Sequence, residues 1–97
     1  MTLDQYLSQR GIFAKEFAEK LALPSPALSQ YRIGRRRIPD ALCPAIEFAS
    51  GGLVRVEEQR PDLTWIRIPD PKWPHPHGRP LIDHSVPWPL ITEDVGS

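Results

Sequence analysis

The chain has 97 residues, 40% of them hydrophobic, which suits one small domain with a modest core and argues against a second independently folded one. Twelve basic and twelve acidic side chains cancel to a net charge of zero, which taken alone argues against a polyanionic partner. A lone cysteine, Cys43, rules out an intramolecular disulfide framework. No apolar run reaches the roughly 18 residues of a membrane span, and the N-terminus lacks a secretory pattern, so a soluble cytoplasmic protein is expected.

Charge is segregated along the chain. Between Arg10 and Arg37 stand seven basic residues against two acidic ones, whereas positions 62 to 97 hold three basic against five acidic. A neutral protein arranged in this way can still present a basic face.

In chain order, Thr2 with Gln5 forms a capping box, and the pair Leu3 and Leu7 predicts a first helix ending near Gly11. Phe13, Phe17, Ala18 and Leu21 predict a second. Pro24 breaks the pattern, Ser25 is expected to cap a third helix, and Pro26 occupies its first turn. That helix should run to about Ile33 and stop at Gly34. Leu42, Ile46 and Ala49 mark a fourth, with Pro44 splitting off a tight turn near 40 to 42, and Val54 to Gln59 can add one more turn.

Eight of the twelve prolines fall between Pro61 and Pro89. A boundary is therefore placed at Pro61, with a helical domain over 1 to 60 and a tail over 61 to 97 rich in proline and tryptophan. Within the tail only TWIRI at 64 to 68 and PLID at 80 to 83 look strand-like; a hairpin and extended polyproline structure both fit.

Two helices separated by a three-residue break, with small Ala18 in one and Leu28 and Tyr31 in the other, meet the packing needs of a helix-turn-helix. The span FAEKLALPSPALSQYRIGRRRIP at 17 to 39, with CPAIEFASGG at 43 to 52 and RPD at 60 to 62, resembles the YdaS-like branch of the Cro and repressor-type helix-turn-helix regulators common in prophages. The resemblance implies an all-α fold, a small lambda-repressor-like domain of four to five helices with a proline-rich tail. It implies binding of double-stranded DNA at a palindromic operator as a homodimeric repressor. The second reading is an antitoxin-like or phage-encoded module that engages a toxin, phage or host protein through its tail. The family usually has glycine where this chain has Ala22, so the turn should be either right-handed or mildly strained.

On this reading Ser25, Ser29 and Gln30 are the candidates for base readout. Lys15, Arg32, Arg35, Arg36 and Arg37 are the candidates for phosphate contact. Trp65, Ile66 and Ile68 are the interface candidates, Ile66 and Ile68 alternating as in an edge strand; Trp73 and Trp88 are the other tail tryptophans. His75 and His77 are too few for a metal site, Cys43 is expected to be buried, and no nucleophile and base pairing is spelled out. No cofactor, metal or catalysis is expected.

Overall fold

The computed structural model describes residues 1–83, so Trp88 and the rest of the tail from residue 84 lie outside the described residues. Five short helices come first: α1 (Leu3–Leu7), α2 (Ala14–Lys20), α3 (Ser25–Arg32), α4 (Cys43–Ala49) and α5 (Val56–Gln59). Two strands follow, β1 (Trp65–Ile68) and β2 (Arg79–Ile82), paired antiparallel with Trp65 opposite Ile82 and Ile66 opposite Leu81. This two-stranded sheet overturns the expected all-α class. The physical reason is local: WIRI alternates and is β-branched at Ile66 and Ile68, and such a segment gains more from a pleated, half-buried ladder than from a helix. Proline at 80 is tolerated because a two-stranded ribbon has only edge strands.

Most helix ends are written in the sequence. Thr2 Oγ1 accepts from the Gln5 N–H at 3.1 Å while Gln5 Oε1 accepts from the Thr2 N–H at 2.9 Å, the reciprocal box that starts α1. Pro24, not Ser25, is the N-cap of α3, and Ser25 is already its first helical residue. The proline's extended geometry turns the chain into the helix without any side-chain cap. A tight turn from Pro39 feeds α4, the N–H of Leu42 bonding the Pro39 carbonyl at 3.0 Å, and Pro44 falls in the first turn of the helix where its missing donor costs nothing.

Leu3, Tyr6 and Leu7 of α1, Phe17 and Ala18 of α2, Leu28 of α3, Cys43 and Ile46 of α4, Val56 of α5, and the loop residues Ile38 and Val54 form one buried cluster. Each fully buried aliphatic side chain there contributes about 1.5 to 3 kcal/mol relative to exposure. Trp65 leans on this core from β1 and donates its indole N–H to the Arg60 carbonyl at 3.0 Å.

Among the described residues a charged side chain, Glu47 on α4, is fully buried. Its carboxylate accepts from Arg67 Nη1 and Nη2, from Trp73 Nε1 at 2.6 Å and from the Val56 N–H at 3.0 Å. Arg67 also reaches Glu57 on α5 through Nε at 3.1 Å and Nη2 at 2.8 Å, and bonds the Gly78 carbonyl. Burial disfavours the Glu47 charge, yet the hydrogen bonds from Arg67, Trp73 and Val56 outweigh it and hold the carboxyl below its ordinary range. The hairpin and its loop are thereby bonded to α4 and α5. Among the described residues no helix is long and apolar enough to cross a membrane.

Candidate nucleic-acid interface

Helices α2 and α3 are joined by a turn whose N–H groups are paired. The N–H of Leu23 reaches back to the Ala18 carbonyl at 2.8 Å and that of Ala22 to Glu19 at 3.0 Å, the double closure that ends a helix with a left-handed residue. That residue is Ala22, at φ +58. Of the two conformations the sequence left open, the turn takes the left-handed one, and a Cβ there costs about 1 to 2 kcal/mol. Ala18 and Leu28, buried in the common core, hold the two helices together on the inner side of this turn.

The outer side of α3 faces solvent. Ser25 and Ser29 are exposed, as is Lys15 on α2, while Gln30 lies half-buried at the flank of the same face. At the helix exit the same double closure recurs around Gly34, at φ +78, where glycine carries no steric penalty. Here the Gln30 carbonyl accepts from Arg35 N–H at 3.0 Å and from Arg36 N–H at 3.3 Å. The backbone of the arginine run is therefore fastened to the last turn of α3.

The arginines then diverge in what they do. Arg32 folds back: its Nε meets Asp4 Oδ1 at 2.7 Å and its Nη2 meets Ser8 Oγ at 3.0 Å, tying α3 to α1. Arg35, Arg36 and Arg37 are all exposed. The Arg36 guanidinium stands 6.0 Å from the Tyr31 ring centroid, within reach of a cation–π attraction. Arg37 is 73% exposed and stands 3.7 Å from Asp62.

The RPD segment acts as a clasp beneath this loop. Arg60 forms a fork with Asp62, Nε to Oδ1 at 2.9 Å and Nη2 to Oδ2 at 2.8 Å, and its Nη1 bonds the Ile38 carbonyl at 2.9 Å. The hydrogen bonds from Arg60 hold the Asp62 carboxyl down at about 2. Ile38, packed into the core directly after Arg37, anchors the far end of the run. The basic loop is thus pinned at Gln30 on one side and at Arg60 on the other.

The remaining sequence candidates lie elsewhere. Trp65 faces inward, whereas Ile66 and Ile68 are on the outer face of the hairpin with Leu81 beside them, all three exposed. His75 and His77 have ring centroids 5.6 Å apart, and no cluster of three or more metal-binding side chains occurs among the described residues. Cys43 is buried, and burial pushes its thiol up to about 12, leaving no thiolate at neutral pH.

Sequence reasoning missed the Glu47 network and the exposed Ile33. A signal existed for the first: Cys43, Ile46, Glu47 and Ser50 stand at i, i+3, i+4 and i+7, so the glutamate occupies a core position of the helical stripe.

No protein-family profile matches the chain. It is 44% identical over 48 residues to "Putative transcriptional regulator YdaS" of Escherichia coli (strain K12). Over that stretch the chain is YdaS-like. The match takes in 50% of this chain and 49% of that protein, so the likeness spans about half the length of the curated relative.

Proposed function

We propose that this chain is a regulatory DNA-binding protein in which α3 enters the major groove of a duplex and Arg35, Arg36 and Arg37 bridge to the phosphate backbone. The observation that carries the reading is the join between them: an open helix face and a basic loop bonded to its last turn through the Gln30 carbonyl. Backbone contacts then set register while the helix face reads bases. The similarity to YdaS supports the same reading through that protein's name.

Ser25, Ser29 and Gln30 are proposed for base edges, and Lys15 at the start of α2 joins the three arginines on phosphate. Arg32 contributes through position, because its guanidinium already serves Asp4 and Ser8. Ile66, Ile68 and Leu81 form an exposed apolar face on the hairpin, suited to pairing with a second copy. A Cro-like repressor of this kind acts as a dimer that presents two copies of α3 about 34 Å apart to a palindromic site.

The test is selection of the full chain on a randomised duplex library, followed by titration of the selected and scrambled duplexes at two salt concentrations. Preference for one sequence with a steep salt dependence supports the proposal. A chain that binds no duplex, with the hairpin face instead capturing another protein, returns the interaction-module reading.

A further inference from the structure

Ile33 is an apolar residue in a place where no structural duty asks for one. It closes α3 as the C-cap residue, and 65% of it is exposed. The turn that follows needs a positive φ at Gly34 and the carbonyls of Gln30 and Tyr31; it makes no demand on the side chain at 33. At 3.6 residues per turn, positions 26, 29 and 33 share the side of the helix turned away from buried Leu28. Ile33 therefore stands one turn beyond Ser29 and Gln30, next to the basic loop and at the rim of a groove that Thr2, Asp4 and Arg32 also line, and unlike these polar neighbours it can bond no polar base edge.

We propose that Ile33 is a specificity-determining residue that reads the C5-methyl group of thymine in the major groove. This rests on the reading of α3 as the helix that enters that groove. Each base pair shows donors and acceptors there, but only thymine adds a methyl group, and an apolar side chain is the group that recognises it. Serine and glutamine on the same face supply hydrogen bonds, so isoleucine adds a discrimination that they lack. The fixed side-chain geometry of a β-branched residue loses little entropy on contact. Withdrawing one methyl from water corresponds to about a fourfold gain in affinity.

The experiment begins with the full chain and the duplex it selects from a randomised library. Each thymine of that duplex is then replaced in turn by 2′-deoxyuridine, which lacks only the methyl group. At one thymine per half-site the wild type should lose about fourfold in affinity. Ile33→Ala should bind the thymine and uridine duplexes equally at that position, and Ile33→Val should retain part of the difference. Unchanged thermal unfolding of both variants is expected, because the side chain lies outside the core.

If the wild type binds its selected duplex yet tolerates uridine everywhere, or Ile33→Ala keeps the wild-type ratio, Ile33 is no thymine reader and the DNA-binding proposal stands without it. Should the wild type select no duplex at all, the groove-entering role of α3 falls and this inference falls with it.

Discussion

The guanidinium of Arg67 meets the carboxylate of Glu47 through two parallel hydrogen bonds, Nη1 to Oε2 at 2.7 Å and Nη2 to Oε1 at 2.6 Å. Glu47 has no exposed surface, and the Arg67 side chain is 8% exposed. A carboxylate in such a place survives only because every part of it is bonded, by a strand residue, a loop tryptophan and a backbone amide.

Breaking one side of this pair should therefore cost far more than the pair itself contributes. Arg67→Met leaves a buried charge uncompensated, and a loss of about 3 to 5 kcal/mol is expected in urea denaturation followed by far-ultraviolet circular dichroism. Combining it with Glu47→Leu removes the stranded charge and should recover part of that loss. The boundary read at Pro61 separates Glu47 from its partner, so truncation after residue 61 should act like Arg67→Met and lower helical signal. Retention of full helicity and stability in the truncated chain would show that the bonding of Glu47 to Arg67 is dispensable.

Acid should find the same weak point. Glu47 and Glu57 are both held below the ordinary glutamate value of 4.5; burial opposes this, and the hydrogen bonds from Arg67 dominate. Asp62, bonded by Arg60, is held at about 2 against an ordinary 3.8. In each case the unfolded chain binds the proton more tightly than the folded one. The stabilisation is thus complete above pH 4.5, and it is lost as pH falls through the lowered folded values. Urea midpoints measured from pH 7 down to 2.5 should stay level at first and then drop, and Arg67→Met with Glu47→Leu should show a shallower drop. A wild-type midpoint that rises on acidification would contradict the network.

The turn between α2 and α3 offers a change in the opposite direction. Ala22 takes φ +58, a conformation that glycine reaches without a Cβ penalty. Ala22→Gly should stabilise the protein by about 0.5 to 1 kcal/mol, the strain relieved less the entropy glycine adds to the unfolded chain. Differential scanning calorimetry reads this as a melting temperature several degrees higher. A fall in melting temperature would mean that the methyl group of Ala22 makes packing contacts worth more than the strain.

These residues also show what could be read in advance and what could not. The capping box at Thr2, the stop at Gly34 and the tight turn ahead of Pro44 rely on neighbours within a few positions, and such signals survive in the bare sequence. Glu47 finds Arg67 twenty positions away and Trp73 twenty-six positions away, a pairing that no local spacing encodes. The apolar stripe of α4 was read through Leu42, Ile46 and Ala49 because a glutamate is ordinarily solvent-facing; the buried stripe instead runs through Cys43, Ile46 and Glu47. At the proposed interface the arginine run was visible as a block. Its division into Arg32, bound to Asp4, and three solvent-facing partners depends on where α1 lies against α3.

The hairpin face gives a test of assembly that leaves the proposed DNA-facing side untouched. Ile66 and Ile68 are exposed on the outer face of β1, and their side chains take no part in the Arg67 network. Ile66→Lys with Ile68→Lys should preserve the thermal transition while lowering the mass seen by sedimentation velocity to that of one chain. A wild-type protein already monomeric at high concentration would remove this face from the proposal.

The division among the arginines leads to the sharpest contrast. Arg36 is exposed, lies over Tyr31 and has no acidic partner among the described residues, so its charge is available to a phosphate. Arg36→Ala should weaken binding to all duplexes about equally and reduce the magnitude of the salt slope by about one unit. Arg32→Ala should behave differently. Its ion pair with Asp4 holds α3 against α1, so removing it should disturb the helix's placement and reduce preference for the selected duplex, with little change in slope. Gln30→Ala should likewise lose preference before it loses general affinity, since a bidentate contact to adenine discriminates by about 1 to 3 kcal/mol. Binding isotherms for all three variants, on selected and scrambled duplexes across a salt series, separate these effects. A slope lowered by Arg32→Ala as much as by Arg36→Ala would mean that Arg32 releases Asp4 and turns to phosphate on binding. An unchanged slope for Arg36→Ala would place the arginine loop away from DNA.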